Sequence, residues 1–309
     1  MNSYFYRILK KLKVLPQKSF VKLHYKYQTG KTLNLNDPKD FNEKIQWLKI
    51  YYKPAILTQL VDKYDVRSYV SDRVGAKYLN DVYGVYERPE DIDFDGMPER
   101  FVLKATHGYD MNLVVKDKGK LDVARTREIM RGWLAINHYY LAGMEWAYKN
   151  IKPRLLAEKF MEEKGKSTIN DYKFYCFSGV PKFLHVDLDR GSNHSVGYYD
   201  MQWQKLPFAK KVHHLVEGDI PKPENFEEMV EVVEKLSADF PFVRVDLYNL
   251  DGKIVFGEMT FYPGDGRIQF EPEQYNKILG DYIELPKIPK GKKVITHFSQ
   301  HNQLQRDLA

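Results

Sequence analysis

The chain has 309 residues, 43% of them hydrophobic, and a formal net charge of +6 at pH 7. That composition, with 23 Tyr and 17 Phe, excludes an intrinsically disordered chain, and no apolar run approaches the ~20 residues of a membrane span. The one cysteine, Cys176, excludes internal disulfides and a cysteine-based zinc site. Since no continuous apolar stretch resembles a secretory signal, we expect a globular protein of a reducing, cytoplasmic compartment.

The N-terminal segment forms a basic arm. Eight lysines and arginines precede the first acidic residue, Asp37. Apolar residues at helical spacing predict an amphipathic helix over residues 3–15, which either lies on an anionic membrane surface or anionic polymer or packs on the body of the protein. We expect no nucleic-acid partner, because the chain lacks a recognition-helix pattern, an RNP-type aromatic motif and a zinc finger.

The sequence of the first third of the chain indicates helices followed by two strands. In chain order, the periodicity predicts helices over residues 37–52 and about 54–74, a strand over 100–105, a loop over 106–112 and a strand over 113–116. The first of these strands ends near Lys104. A lysine at the end of a buried apolar strand has few structural roles, and binding a phosphate is one of them.

The rest of the chain alternates helices with hairpins. In chain order, we predict helices across residues 122–150, a strand from residue 153, a hairpin over 171–190, an irregular segment over 191–222, a helix over 224–239, a second hairpin over 242–260 and a short segment to about 280. Ser178 and Gly179 supply the turn of the first hairpin.

The second hairpin carries charges where a buried hairpin should have none. Its polar residues are Arg244 and Asp246 on the first strand and Glu258 and Thr260 on the second. Alternation puts Arg244 and Asp246 on one face, and Glu258 and Thr260 on the face of Phe256. With a three-residue loop over 250–252, Arg244 lies opposite Glu258 and Asp246 lies one diagonal step away.

Two explanations account for these charges. One is an Arg244 to Glu258 salt bridge, since unpaired burial of a charge costs several kcal/mol. The other is an oxygen-rich Mg²⁺ site in which Asp246, Glu258 and the Thr260 hydroxyl are ligands and a nucleotide's phosphates and waters complete the octahedron.

In their order and spacing, these segments resemble the ATP-grasp superfamily, over roughly residues 37–286. Four segments are similar to its TupA-like branch: Phe41 to Lys49, Asp62 to Arg67, Asp171 to Phe174, and Glu258 to Pro263. The resemblance implies an α+β ATP-grasp fold whose two subdomains clamp ATP. It divides the chain into the basic arm and N-terminal helices (1–57), an N-terminal subdomain with a phosphate loop (58–157), a C-terminal subdomain with the metal site (158–286) and a flexible tail (287–309).

The same resemblance implies where the nucleotide binds. Lys63 and Lys104 look like the two phosphate-binding lysines of the superfamily. The phosphate-covering loop corresponds to the segment that contains Thr106, His107 and Gly108. Glu158, Lys159, Phe160 and Met161 resemble the hinge that binds adenine through backbone groups, and Asp171 falls where an acidic residue holds the ribose.

The motifs Arg244-x-Asp246 and Glu258-x-Thr260 look like the superfamily's metal motifs, with Thr260 in place of the usual Asn. The resemblance thus implies ATP and Mg²⁺ as cofactors, with Asp246, Glu258 and Thr260 as metal ligands. Arg244 and Lys104 are the implied catalytic residues.

The implied activity is that of an ATP-dependent carboxylate–amine ligase that forms an amide through an acyl phosphate. For the TupA-like branch, the carboxylate belongs to a uronic acid of a bacterial surface polysaccharide or its precursor, and the amine to an amino acid or small amine. Candidate saccharide-binding residues are Lys173, Arg190 and Arg267.

Two other functions remain open at this point. One is a glycosyltransferase, because Asp187-Leu-Asp189 has the form that holds the metal of a nucleotide sugar. The other is a non-catalytic module of ATP-grasp shape that binds polysaccharide or a membrane surface.

Overall fold

The computed structural model describes residues 15–141, 143–165, 168–189 and 194–298. Residues 3–14 of the predicted amphipathic helix, residues 299–309 of the predicted tail, and Arg190 lie outside these ranges. Among the described residues, no helix combines the length and apolar character needed to cross a bilayer.

In the described part of the chain, four helices precede the sheets. They are α1 (Gln17–Thr29), α2 (Phe41–Tyr51), α3 (Ile56–Val61) and α4 (Val66–Arg73). The Asp40 carboxylate caps α2 by accepting a hydrogen bond from the Glu43 amide, which satisfies one of the free amides of the first turn.

The first sheet has four antiparallel strands in the order β1-β4-β2-β3. These strands are β1 (Val82–Tyr86), β2 (Phe101–Ala105), β3 (Asn112–Val115) and β4 (Leu155–Lys159). Helices α5 (Val123–Leu134) and α6 (His138–Leu141) lie between β3 and β4 in the chain. The boundary expected between residues 157 and 158 falls inside β4, so Glu158 and Lys159 are part of this sheet.

The second sheet has five antiparallel strands in the order β10-β9-β5-β6-β7. They are β5 (Asp171–Phe177), β6 (Val180–Leu188), β7 (Ser195–Asp200), β9 (Phe242–Leu250) and β10 (Lys253–Thr260). Strand β8 (Ala209–Lys210) pairs with β11 (Phe270–Glu271). Helix α7 (Phe226–Ser237) packs on β5, β6 and β9, and α8 (Gln274–Asp281) packs on α2.

Each sheet has its own apolar core. The smaller core includes Phe101, Leu103 and Leu155 from the four-stranded sheet and Met130 from α5. The larger one joins α1 to α4 with the five-stranded sheet and α7. On β2, Phe101, Leu103 and Ala105 are buried while Val102 and Lys104 are only partly buried, so alternation turns Lys104 away from the core. This arrangement confirms the predicted α+β class.

Two predicted elements differ from the structure. The helix expected over residues 54–74 is two helices, because Asp62 leaves helical geometry with a ψ of 124° and its carboxylate accepts hydrogen bonds from the amides of Tyr64 and Asp65. Such local side-chain bonds compete with helical ones. The segment over 191–222, expected to be irregular, contributes β7, whose apolar residues are interrupted by Gly197.

The β9–β10 register also corrects the sequence analysis. The turn has two residues, Asp251 and Gly252, both with positive φ. That turn alone would place Glu258 opposite Val245, on the far face of the sheet from Asp246. A β-bulge at Gly257 adds one residue, so that Asp246 lies opposite Glu258.

The expectation that Arg244 lies opposite Glu258 is therefore wrong, because Arg244 lies opposite Thr260. The expectation that Phe256 shares a face with Glu258 is also wrong, because Phe256 precedes the bulge and pairs with Leu247. A side chain at Gly257 would place its Cβ 3.0 Å from the Asp246 carbonyl oxygen, tighter than an ordinary contact.

Two glycine substitutions, one in this turn and one in a helix, should have opposite effects on stability. Gly252→Ala should lower the free energy of unfolding by about 1 kcal/mol, because a Cβ disfavours the left-handed conformation that Gly252 adopts at a φ of 88°. Gly132→Ala, in α5 with open space around its Cβ, should raise it by about 0.5 kcal/mol. Urea unfolding measures both, and a loss at Gly132 equal to that at Gly252 would contradict this account of the turn.

Candidate functional site

One face of the five-stranded sheet carries a row of charged residues. The register places Lys173 on β5 opposite Asp246 on β9, and Asp246 opposite Glu258 on β10. Because directly opposed residues in antiparallel strands point to the same side, these three side chains converge. The sheet therefore gathers them from three separate strands.

Arg244 connects the polar residues of β9 and β10. Its Nε and Nη2 donate to the two Asp246 carboxylate oxygens, each at 2.6 Å. Nη2 also lies 3.0 Å from Glu258 Oε1 and 3.0 Å from the Thr260 hydroxyl. The salt bridge proposed between Arg244 and Glu258 is present, but the bidentate contact with Asp246 is the stronger one.

Lys173 is buried among three carboxylates. Its ammonium group donates to Asp171 and, at 2.7 Å, to Asp246, and it lies 3.7 Å from Asp187. Asp187 also contacts His194 Nε2 at 2.8 Å. The structure thus places Asp171 and Lys173 in the charged row rather than on an outer surface.

The opposite charges of the row stabilise one another's ionised forms. Burial works to lower the pKa of Arg244 and Lys173, but the Asp246 carboxylate raises both above their ordinary values. Burial works to raise the pKa of Asp246, but Arg244 and Lys173 lower it. Each of these charges is therefore tolerated in the interior because the others are present.

The two candidate phosphate lysines lie outside the five-stranded sheet, Lys104 on β2 and Lys63 between α3 and α4. Lys104 Nζ forms an ion pair with Glu158 at 2.6 Å, and the Lys63 ammonium donates to the Gly108 carbonyl. Burial lowers the pKa of Lys63, and the charge of Glu258 opposes that lowering. Lys63 is thus close enough to the charged row to interact with Glu258.

The Asp62 carboxylate positions the segment around Lys63. It accepts a hydrogen bond from the Thr106 hydroxyl at 2.7 Å and pairs with Arg154. The Lys63 amide in turn donates to the Thr106 carbonyl. The break between α3 and α4 therefore fixes Lys63 against the loop after β2.

The side chains at the start of the predicted phosphate loop have structural contacts. Thr106 and His107 are buried, and His107 Nε2 lies 3.0 Å from the Trp133 carbonyl oxygen. A Cβ on Gly108 would crowd Met111 and His138. Thr106 and His107 would therefore contact a nucleotide through their backbone groups.

A cavity of about 610 Å³, here called the hinge cavity, opens between the two sheets. Its lining includes Val102, Lys104, Asn112, Phe160, Met161 and Tyr248. Lys104 comes from the four-stranded sheet and Tyr248 from the five-stranded one. The Lys159 side chain points elsewhere and pairs with Asp81, so only its backbone can take part in the predicted adenine contact.

A second cavity, of about 330 Å³ and here called the inner cavity, adjoins the charged row. Its lining includes Tyr109, Glu145, Arg244, Glu258, Thr260 and Arg267. No sequence motif surrounds Glu145, so its place in this cavity could not be predicted from the sequence. Asp187 was noted only as part of a glycosyltransferase-like tripeptide.

The polar face of α2 holds the segment that carries Arg267. Asn42, Gln46 and Lys49 lie on this face at near-helical spacing and are all buried. Asn42 exchanges two hydrogen bonds with the Ile268 backbone, at 2.7 and 2.8 Å. Gln46 donates to the carbonyls of residues 265 and 266, and the Lys49 ammonium pairs with the Asp265 carboxylate.

Asp265, which α2 holds in place, in turn binds the Arg267 side chain. Its Oδ2 accepts a hydrogen bond from Arg267 Nε at 2.9 Å and contacts His24 Nε2 at 3.2 Å. Burial works to raise the pKa of Asp265, but Lys49, His24 and Arg267 lower it below its ordinary value. The contacts fix the base of the Arg267 side chain beside the inner cavity.

The donor set of the charged row suits a magnesium ion. Asp246 and Glu258 face each other, and both carboxylates are the hard oxygen ligands that Mg²⁺ prefers. Among the described residues, no donor contacts Glu258 Oε2, and the side chain is 40% exposed. No metal-binding group of three or more His, Cys, Asp or Glu side chains occurs in the described part of the chain, so phosphate and water oxygens would have to complete the shell.

Comparison with protein families agrees with this geometry. The family model described as TupA-like ATPgrasp matches residues 43–284. The chain belongs to the TupA-like ATP-grasp family. This membership confirms the suspected resemblance, and the two sheets with a cleft between them are the ATP-grasp fold. No curated protein matches the chain.

Several solved structures are similar to this chain. D-alanine–D-alanine ligase from Bacillus anthracis shares 16% identity, covering 79% of this chain and 69% of its own, with a TM-score of 0.40. The ATP-grasp ligase PsnB shares 12%, covering 78% and 67%, with a TM-score of 0.41. N5-carboxyaminoimidazole synthase from Aspergillus clavatus shares 13%, covering 67% and 45%, with a TM-score of 0.38.

Removing the charge of Asp265 should cause a large loss of stability. Asp265→Asn should lower the free energy of unfolding at pH 7 by about 3–5 kcal/mol, because Lys49 is left as a buried charge without its partner. Since the pKa of Asp265 is lowered on folding, its contribution is present above the ordinary Asp pKa of about 3.9 and is lost as the pH falls below it.

The difference in free energy of unfolding between wild type and Asp265→Asn should therefore stay constant down to about pH 5. It should become smaller in more acidic solution. Urea unfolding across this range measures it. Asp219→Asn is the matched control, because Asp219 forms an exposed pair with Lys205 that contributes at most about 1 kcal/mol. Equal losses in the two variants would contradict the role given to Asp265.

Proposed function

We propose that the protein is an ATP-dependent carboxylate–amine ligase that forms an amide through an acyl phosphate. The observation that carries this proposal is the arrangement of two cavities around one charged row. Arg244 and Glu258 of that row line the inner cavity, and Tyr248, which lies opposite Asp171 of the row, lines the hinge cavity. Membership of the TupA-like ATP-grasp family supports ATP as the nucleotide.

The nucleotide would occupy the hinge cavity. Phe160, Met161 and Tyr248 give it apolar and aromatic walls for a base, and Lys104 lies at its polar end. Lys104 and Lys63 are the cations we assign to the phosphate oxygens. Their present partners, Glu158 and the Gly108 carbonyl, keep them oriented until a phosphate replaces those contacts.

Asp246, Glu258 and Thr260 would hold Mg²⁺, which supplies charge neutralisation for the transferring phosphoryl group when bound. Arg244 lines the inner cavity beside Glu258 and Thr260. Its guanidinium is fixed by Asp246, so it is preorganised to stabilise negative charge that develops on the acceptor. No protein nucleophile is needed.

The reaction would proceed in two steps. An oxygen of the acceptor carboxylate attacks the γ-phosphorus, the bond to the β–γ bridging oxygen breaks, and ADP leaves. The amine then attacks the acyl carbon, the bond to the phosphate oxygen breaks, and inorganic phosphate leaves as the amine loses a proton. We assign the inner cavity to the acceptor and amine because it adjoins Arg244 and contains Arg267.

The proposed substrates are a uronic acid of a bacterial surface polysaccharide, or its precursor, and an amino acid or small amine. Arg267 is the cation that we assign to the saccharide carboxylate, and Tyr109, Tyr148 and Tyr262 line the same cavity and offer ring faces for a sugar. Lys173 is assigned to the nucleotide side instead, since it is buried between Asp171 and Asp246. The proposed setting is the cytoplasm, where ATP is available, and contact of the basic arm with the membrane's inner face rests on its charge alone.

The glycosyltransferase alternative finds less support. The Asp187 carboxylate already contacts His194 and Lys173, and Asp189 accepts a hydrogen bond from Thr168 beyond the end of β6. A non-catalytic module would not need charges buried beside two cavities, since such burial is costly. Turnover of a UDP-sugar without ATP would favour the first alternative.

ADP release tests the ligase proposal. With Mg²⁺ and ATP, wild-type protein should release ADP only when a uronic-acid oligosaccharide and an amine are both present. Lys104→Ala should lower that rate by about 10²–10³-fold, because a preorganised cation at the transferring phosphoryl group is lost. Lys235→Ala, an exposed residue of α7, is the control and should leave the rate unchanged. Full activity of Lys104→Ala would contradict the assignment.

A further inference from the structure

Glu145 is a buried carboxyl group that the mechanism so far does not use. It is only 4% exposed and lines the inner cavity together with Arg244 and Glu258. Among the described residues, none donates a hydrogen bond to its carboxylate or forms an ion pair with it. Burial of an unpaired carboxyl is costly, so its place beside the reaction site needs a reason.

The backbone around Glu145 is firmly held. Gln17 donates to the Met144 carbonyl at 2.9 Å, and Lys49 lies 3.3 Å from the Gly143 carbonyl oxygen. A Cβ on Gly143 would collide with the Asp265 carboxylate. Helices α1 and α2 thus fix this segment, and the position of Glu145 in the cavity is defined rather than a consequence of a loose loop.

We infer that Glu145 is the proton acceptor for the incoming amine. This inference rests on the proposed function, whose second step must remove a proton from the amine. An ammonium group cannot attack an acyl carbon until it is deprotonated, and a carboxylate within the same cavity can take that proton. Glu145 is suited to this task because no other described group occupies its oxygens.

The electrostatic surroundings agree with this role. Burial is the main cause that raises the pKa of Glu145, to about 8, and the charge of Asp265 adds to it, while Lys49 and Arg267 oppose it. Burial raises the pKa of Tyr148, which lines the same cavity, and the charges of Glu145 and Glu258 add to this effect. Such a raised pKa suits a base that works near neutral pH.

Hydroxylamine separates the two chemical steps. It is largely unprotonated at neutral pH, so it traps an acyl phosphate as a hydroxamate without a protein base. Glu145→Gln should therefore form hydroxamate from ATP and glucuronic- or galacturonic-acid oligosaccharides at the wild-type rate. With an alkylammonium amine, its rate of amide formation should fall by about 10²–10⁴-fold.

The pH profile gives an independent readout. In wild type, kcat/KM for the amine should rise with pH, because Glu145 must be ionised to accept a proton. The apparent pKa of this rise, here called the acid limb, should lie above that of an ordinary carboxylate. Glu145→Gln should lose this limb, and Glu145→Asp, which keeps a carboxylate, should retain it at a reduced rate. Glu128→Gln, an exposed residue of α5, should match wild type throughout.

Each outcome decides between the roles. Unchanged amide formation and an unchanged pH profile in Glu145→Gln would overturn the inference, as would an equal loss of hydroxamate and amide, which indicates a structural role. If wild type forms no hydroxamate with any of these oligosaccharides, the proposed function fails, and the inference fails with it. Loss of amide formation alone, with the acid limb removed, supports it.

Discussion

Burial of Arg244 and Lys173 on one sheet face is tolerated because the Asp246 carboxylate lies between them and bonds to both. Removing any one of the three would leave the others as costly interior charges. The network therefore constrains the spacing of β5, β9 and β10 as well as the orientation of each side chain. It also leaves the Glu258 carboxylate partly exposed beside the inner cavity, where a magnesium ion and phosphates can replace protein contacts.

A second set of buried polar contacts acts at a distance from this row. Asn42, Gln46 and Lys49 of α2 bind the backbone or side chains of residues 265–268, and the same lysine contacts Gly143 just before Glu145. One helix thus positions two sides of the inner cavity. Such support lets a cavity keep its shape although several of its residues come from segments without regular secondary structure.

Much of this architecture follows from local sequence patterns. Apolar periodicity predicts α2, α7 and the β5–β6 hairpin, and the charged hairpin face points to the reaction site. The bulge at Gly257 could not be predicted, because a single glycine in a strand does not reveal whether the register shifts there. The Asp62 carboxylate, whose local hydrogen bonds break the helix, is also held by Thr106 and Arg154 far along the chain. Glu145 gave no signal, since its neighbours come from contacts that only the folded chain creates.

We propose that an acceptor carboxylate is activated by phosphoryl transfer beside Arg244 and Glu258. The most direct test follows a heavy oxygen isotope placed in the carboxylate of a uronic-acid oligosaccharide during turnover with ATP and an amine. The account predicts that one labelled oxygen appears in each inorganic phosphate, because the attacked phosphorus keeps the carboxylate oxygen when the amide forms. Inorganic phosphate without the label, whose fourth oxygen comes from water, would contradict it, since ATP would then be hydrolysed without activating the acceptor.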